Sequence, residues 1–451
     1  MSNHTYRAKW IVPVDAPPIE DGEVVVEDGG IAAVRHRSVG SDNVRDFGDA
    51  VLMPGFVNAH THLEYTVQRG FLEDVPFFPW VRALNAAKAH LSPEDWLLSS
   101  RLGAMECIAG GITTIGDNTD AGVTMRVASE TGLRATIYQE IFGIDDREPI
   151  DPILAALRAK IEAHRRLASD RVRVGVSPHA LYTLRPELLR ALVEYMREEQ
   201  LPSSIHIAES PAETALTELG EGPFWEMYLR RGITWEPPRM SPTHYAEALG
   251  LLGEGTLAIH CVQQDHADSD AVAASGASII HCPKSNAKLG AGIAPLAHWL
   301  KTEGLTVGLG TDSAVSNNTL DMFEEMRMAL LMQRGVRQNV EAVSARDVLR
   351  MATLGGAEAM GWGAVTGSLT PGKRADLIAV CLDHPHTTPA TDPVSALVYS
   401  ARADDVVMTM CDGETLYDEG AWRTIDETGT LSAAREIRAR LADAAKKETS
   451  P

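Results

Sequence analysis

The 451-residue sequence predicts an α/β fold: a closed (β/α)8 barrel of the TIM type, with a small β-sandwich domain built from both chain ends. Three observations predict it. Between residue 51 and about residue 362, eight short apolar runs alternate with helical stretches, the count and spacing of such a barrel. No GxGxxG follows any of these runs, as the first turn of a doubly wound, dinucleotide-binding sheet would show. Strand-type segments separated by turns occur before the runs and return after them.

The elements follow in chain order. Residues 1–53 read as strands: AKWIVPV, then GEVVVEDGGIAAV with Asp28-Gly29 as a turn, then AVLMPG. The eight runs are VLMPGFVNAH (51–60), ITTIGD (112–117), LRATIY (133–138), VRVGVS (172–177), SSIHIAE (203–209), TLAIHC (256–261), ASIIHC (277–282) and TVGLGTD (306–312). Between the first two lies a helix with Ser92 as its N-cap, Pro93 at the first helical position and Gly110-Gly111 as its stop. Further helices are predicted at 151–168, 185–199, 266–275 and 320–334. GSLTPGKRADLIAV (367–380) and VVMTMCDGETLYDEG (406–420) return to strand character. Residues 1–53 and 364–425 are therefore expected to form the small domain and 54–363 the catalytic barrel. Residues 426–451 are expected to be a helical tail, with an exposed amphipathic helix at 431–447.

In such a barrel, catalytic side chains sit at the C-terminal ends of the strands. Those ends carry His60 and His62, His179, His206 with Glu209, His260, His281 and Asp312, so six of the 15 histidines converge on one rim. His60-Thr61-His62 places two rings on one side of an extended segment. With His206 and Asp312 they make a nitrogen-and-oxygen set suited to one divalent ion, Zn²⁺ or Fe²⁺, with a position left for water. A second ion usually needs a bridging group such as a modified Lys, and the fourth run holds none.

These stretches resemble the amidohydrolase superfamily, in its branch of nucleoside and heterocycle deaminases. The resemblance rests on PGFVNAHTHLEYTVQRG (54–70), GGITTIGD (110–117), SPHALYT (177–183), HIAES (206–210), HCV (260–262), CPKSNAKLGAGIAPL (282–296), GTDSAVSNNTLDMFEEMRMA (310–329) and GSLTPGKRADLIAV (367–380). It implies His60, His62, His206 and Asp312 as metal ligands, Glu209 as proton shuttle and His260 as the group that orients the attacking water. Asp312 would also accept that water's proton. Within the branch the sequence is most similar to methylthioadenosine/S-adenosylhomocysteine deaminases and aminodeoxyfutalosine deaminases. That implies removal of the 6-amino group of an adenosine-type nucleoside as ammonia, with His179 and Trp80 lining the pocket. His281 lies at the same rim. Pro79 stands where the former group carries Glu before that Trp, and Glu64 is either the substitute carboxylate or a solvated loop residue. The alternatives are deamination of guanine, hydrolysis of an s-triazine, or a non-catalytic ligand-binding barrel.

Composition narrows the partners. Forty-one Lys and Arg against 62 Asp and Glu give a net charge of −21, which repels nucleic acid and anionic membranes. The expected partner is a small molecule, and the resemblance also implies a homo-oligomer. Five cysteines without CxxC spacing read as free thiols of a reducing compartment. With no leader pattern and no apolar run of about 18 residues, the expectation is a cytoplasmic protein. Segment 210–255 is long for a connection. Its Phe224, Trp225, Tyr228 and Trp235 suit a pocket wall or a subunit contact, and its Arg230, Arg231 and Arg239 a substrate carboxylate or a solvated face.

Overall fold

The computed structural model describes residues 3–39 and 43–448. Five strands open the chain: β1 (Asn3–Ile11), β2 (Ile19–Glu27), β3 (Gly30–His36), β4 (Val44–Asp46) and β5 (Ala50–Pro54). Then come β6 (Phe56–His62), α1 (Phe77–Lys88), α2 (Pro93–Ala109), β7 (Ile112–Thr119), β8 (Arg134–Ile141), β9 (Val172–Pro178) and β10 (Ser203–Ile207). The strands continue with β11 (Thr256–His260), β12 (Ser278–His281), β13 (Val307–Leu309) and β14 (Asp312–Ser313). β15 (Leu377–Cys381), β16 (Val406–Cys411), β17 (Glu414–Asp418) and β18 (Ala421–Trp422) complete the set.

The predicted first run divides in two. Pro54-Gly55 ends β5, and β6 starts a different sheet at Phe56. Gly55 is required at the break because a Cβ there would lie 2.2 Å from the Thr113 side chain. β5 runs parallel to β1 and antiparallel to β15, from Ala50 opposite Cys381 to Pro54 opposite Leu377. The two chain ends thus share one mixed sheet of order β18-β17-β16-β15-β5-β1-β2-β3, with β4 beside β1. The strands are hydrogen-bonded in one continuous sheet. Both its arms contribute to one apolar cluster, with Ala8, Val24 and Ile31 from one and Leu377, Met408 and Met410 from the other.

The second sheet is parallel, in the order β13-β12-β11-β10-β9-β8-β7-β6-β14. β13 pairs with β12, and shortly after it in the chain β14 pairs with β6, so the curled sheet returns to its own first strand. Its inner face holds Val57, Ala59, Tyr138, Leu257, Ile259 and Ile280, covered by Trp362. The helices begin as the sequence indicated: Ser92 and Asp95 form a capping box at the start of α2. The predicted helices lie at Ile150–Arg165, Pro186–Glu198, His266–Ser275 and Met322–Arg337. The two sheets are joined by a buried ion pair in which Arg134 of β8 donates to both oxygens of Asp376, at 2.7 and 3.0 Å.

The C-terminal helix Glu427–Glu448 is not the exposed tail expected. Ala434, Ile437 and Leu441 share one face and pack with Val67, Leu91, Leu98 and Leu102. Among the described residues no helix is long and apolar enough to cross a membrane. The five cysteines are free, and Cys107, Cys261, Cys282 and Cys411 are buried.

Candidate active site

The parallel sheet brings its C-terminal strand ends together. One ring nitrogen each of His60, His62 and His206 lies within 4.8 Å of the other two. Asp312 Oδ1 stands 3.5 Å from His60 Nε2 and 3.6 Å from His62 Nε2. Two ligand atoms each about 2.1 Å from one tetrahedral ion are about 3.4 Å apart, so these spacings suit a single divalent metal. The hydrogen bonds point the same way: both nitrogens of fully buried His60 lack any partner. Buried polar nitrogens without partners are costly unless something binds them.

Neighbouring groups orient the donors. His206 Nδ1 faces the His179 carbonyl at 2.7 Å, so that nitrogen donates and Nε2 is left free for an ion. Asp312 Oδ2 accepts from Ser285 Oγ at 2.6 Å and Ser316 Oγ at 2.9 Å, while Oδ1, which accepts the Ser313 N–H at 2.7 Å, faces the histidines. Burial drives His206 down to about 3 and His62 well below its ordinary value, which keeps both rings neutral. Burial by itself would raise Asp312, but His60, His260 and His62 outweigh it and hold the carboxyl well below the usual range. Gly310 fits against His60, whose Cβ and carbonyl oxygen lie 2.8 Å from where a Cβ would be.

Strained backbone marks the same rim. Ala208, His260, Cys261 and Asp312 have φ of 50°, 74°, 51° and 58°. Such left-handed positions cost about 1–3 kcal/mol each and persist where surrounding contacts enforce them. Asp312 has its serine bonds, and Asn286 Nδ2 donates to His260 Nδ1 at 2.9 Å. That bond leaves the proton of His260 on Nε2, 3.7 Å from Glu209 Oε1. Glu209 is pushed up to about 8, first by burial and then by the charges of Asp312 and Glu213. Glu213 accepts the Glu209 backbone N–H at 3.0 Å, and burial raises it to about 7.

The expected pocket residues separate into two groups. His179 borders the histidine cluster, its ring 4.8 Å from that of His206. His281 is buried against Trp299 and driven down to about 3 by burial. Trp80 is buried on α1 with Tyr65, Leu84 and Val315, and its Nε1 has no partner. Glu64 has a different place from either of those expected. Its oxygens accept from Thr119 Oγ1 (2.8 Å), Asp120 N (2.9 Å) and Ala121 N (3.1 Å), so it clamps the loop after β7.

The 210–255 segment turns its aromatic residues inward. Phe224 stacks on Tyr182 at 4.1 Å and meets Phe78 of α1 at 4.8 Å, while Tyr228 and Trp235 are buried. These three residues belong to the chain's own core and not to a subunit contact; Trp225 is only partly buried.

Sequence reasoning missed Asn286, Glu213, Ser285, Ser316 and Glu140. Asn286 and Ser285 lie inside the quoted CPKSNAK stretch, and Glu213 lies one helical turn past Glu209. Glu140 was missed because the third apolar run stops at residue 138, whereas β8 continues to Ile141.

Known proteins carry related sequences and folds. Residues 51–416 match the Amidohydrolase family. The 5'-deoxyadenosine deaminase of Methanothermobacter thermautotrophicus is 35% identical over 432 residues, 95% of this chain and 96% of that protein. A 5-methylthioadenosine/S-adenosylhomocysteine deaminase of Nitratidesulfovibrio vulgaris (Miyazaki F) is 35% identical, covering 96% of each. The crystal structure of an adenosine deaminase from Xanthomonas campestris with bound zinc superposes with a TM-score of 0.87 at 28% identity, covering 97% of this chain and 98% of that one. A family match that begins within β5 and ends within β17, with relatives aligned over nearly their whole length, makes this chain a member of the amidohydrolase family.

Proposed function

We propose that the protein is a single-metal hydrolase that removes the 6-amino group of an adenosine-type nucleoside as ammonia. One observation carries this reading: Glu209 lies buried beside His260 and next to a convergent His60, His62, His206 and Asp312 set. The names of the 35%-identical relatives support it. The parallel sheet is read as a (β/α)8 barrel over residues 54–363, and the mixed sheet as a separate domain of 1–53 and 364–425.

His60, His62, His206 and Asp312 would hold the ion, and zinc suits this set of nitrogens and one carboxylate. When bound, such an ion lowers the pKa of a water ligand from 15.7 to about 7. The residues of the chain do the remaining work. Asp312, ionised, accepts a proton from the attacking water. His260 Nε2–H aligns that water. Glu209 in its protonated form gives its proton to the ring nitrogen beside the attacked carbon; it then takes the proton of the newly added hydroxyl and passes it to the departing amine, and the proton held by Asp312 resets Glu209. Half-buried His179 and buried Trp80 line the nucleoside side.

The test is ammonia release by metal-replete protein from adenosine, 5'-deoxyadenosine, methylthioadenosine, S-adenosylhomocysteine and aminodeoxyfutalosine, with guanine and an aminated triazine alongside. Turnover of a nucleoside is expected. Silence on all the nucleosides, with metal content verified, overturns the reading.

A further inference from the structure

Glu140 is the unexplained carboxylate of the rim. β8 alternates faces with a period of two. Tyr138 points to the inner cluster with Val57, Ala59, Leu257 and Ile259, whereas Gln139 points away, its amide oxygen 3.0 Å from His164 Nε2. Glu140 therefore leaves the strand on the inner face, at its C-terminal end. Its side chain is 1% exposed, and its Oε1 has no hydrogen-bond partner. That oxygen lies 4.0 Å from His179 Nε2. The contrast with Glu64 is direct, since Glu64 receives three donors from the chain's own loop.

A buried carboxyl oxygen without a partner is costly, so Glu140 calls for a hydrogen-bonding group from a ligand. β8, β9 and β10 are consecutive in the sheet, which sets Glu140, His179 and His206 in a row. The three are close as well as aligned: one polar side-chain atom of each lies within 4.8 Å of the other two. A nucleoside held by its amino-bearing end at the His60–His62–His206 cluster, and extending past His179, carries its sugar toward Glu140. The polar groups on that end are hydroxyls, which donate and accept, and a carboxyl group can pair with two adjacent ones through its two oxygens. Burial holds the Glu140 carboxyl well above its ordinary value, with Lys88 acting against this and Glu64, Asp120 and Asp117 adding to it. The Lys88 Nζ is already engaged with Tyr65 Oη at 2.6 Å. Phe142, with its ring 4.6 Å from His179, supplies an apolar flank.

We propose that Glu140 is a specificity-determining residue that binds the sugar hydroxyls of the substrate, the role the sequence had suggested for Glu64. The inference rests on the nucleoside reading above. The experiment compares kcat/KM for the nucleoside of the panel that is turned over best with that for its 2'-deoxy counterpart, in wild type, Glu140→Gln and Glu140→Ala. Wild type should prefer the ribonucleoside by about 10- to 100-fold, the range for leaving a buried polar group unpaired. In Glu140→Ala that ratio should collapse toward one, carried by KM, and Glu140→Gln should fall between. Metal content of each variant reports whether the cluster is intact. A wild-type ratio near one overturns the inference even if neither variant folds, and so does an unchanged ratio in the variants. Turnover of no nucleoside by wild type overturns the parent reading as well, which separates the two failures.

Discussion

Glu23 and Glu209 are both glutamates with almost no exposed surface, and their surroundings drive them in opposite directions. In the mixed sheet, Glu23 is fully buried, with Arg7 Nε at 3.0 Å, Arg35 Nε at 2.9 Å and Ser38 Oγ at 2.6 Å. Burial alone would raise it, but Ser38, Arg35 and Arg7 outweigh that and bring it down to about 2. At the rim of the parallel sheet, Glu209 has no cation beside it and two carboxylates near it, and rises to about 8. The seam between the sheets repeats the first pattern, with Asp376 held by Arg134. Buried charge is neutralised where the chain needs only to be held together. At the rim Glu209 has no cation beside it and is the kind of perturbed carboxyl that marks candidate functional sites.

This contrast can be broken at several points. The largest effect is expected from Asp312→Ala, which removes an oxygen donor from the rim. Metal binding should weaken strongly and ammonia release should fall by at least about 10³-fold. Chelation of the wild-type metal should do the same and be reversed by added Zn²⁺. A metal-loaded, active Asp312→Ala protein would remove Asp312 from the site.

Glu209→Gln should retain the metal, measured by elemental analysis, and lose about 10²- to 10⁴-fold in kcat. Undiminished kcat would make Glu209 an ordinary buried acid. At the seam, Arg134→Met leaves Asp376 buried without its cation and should cost about 3–5 kcal/mol in urea unfolding. Its kcat/KM at low temperature, per folded molecule, should stay near that of wild type. A large catalytic loss in the folded fraction would mean that seam and rim are coupled.

Glu23→Gln is expected to have the smallest effect, about 1–2 kcal/mol at pH 7, because Arg35 is half exposed to solvent. The sign follows from linkage. A carboxyl at about 2 in the folded chain, against 4.5 ordinarily, contributes fully above about pH 4.5 and loses that contribution as pH falls through 2. Wild type and variant should therefore converge in stability in acid. A gap that persists at pH 2 would point to packing and not to charge.

Much of the fold and of the convergent histidine and aspartate cluster was legible in the sequence. Apolar runs bounded by turn residues are local signals, and the polar residues that end them mark a rim wherever such runs curl into one sheet. His60, His62, His206, His260 and Asp312 could be read off those ends. The exposed tail was misjudged because its exposure depends on what packs against it. Ile437 and Leu441 look like an ordinary amphipathic stripe until Leu98 and Leu102 of α2 cover it.

The sequence by itself determined which residue types stand at the strand ends, because local patterning specifies strand, turn and helix. Only the tertiary structure decided which of the acidic residues are already occupied. Glu64 and Glu140 cannot be told apart by type or burial. One meets donors from a loop 55 residues away in the chain, and the other has an oxygen that meets none. Hydrogen-bond satisfaction is a property of neighbours brought together by folding, so it can be read only once those neighbours are in place.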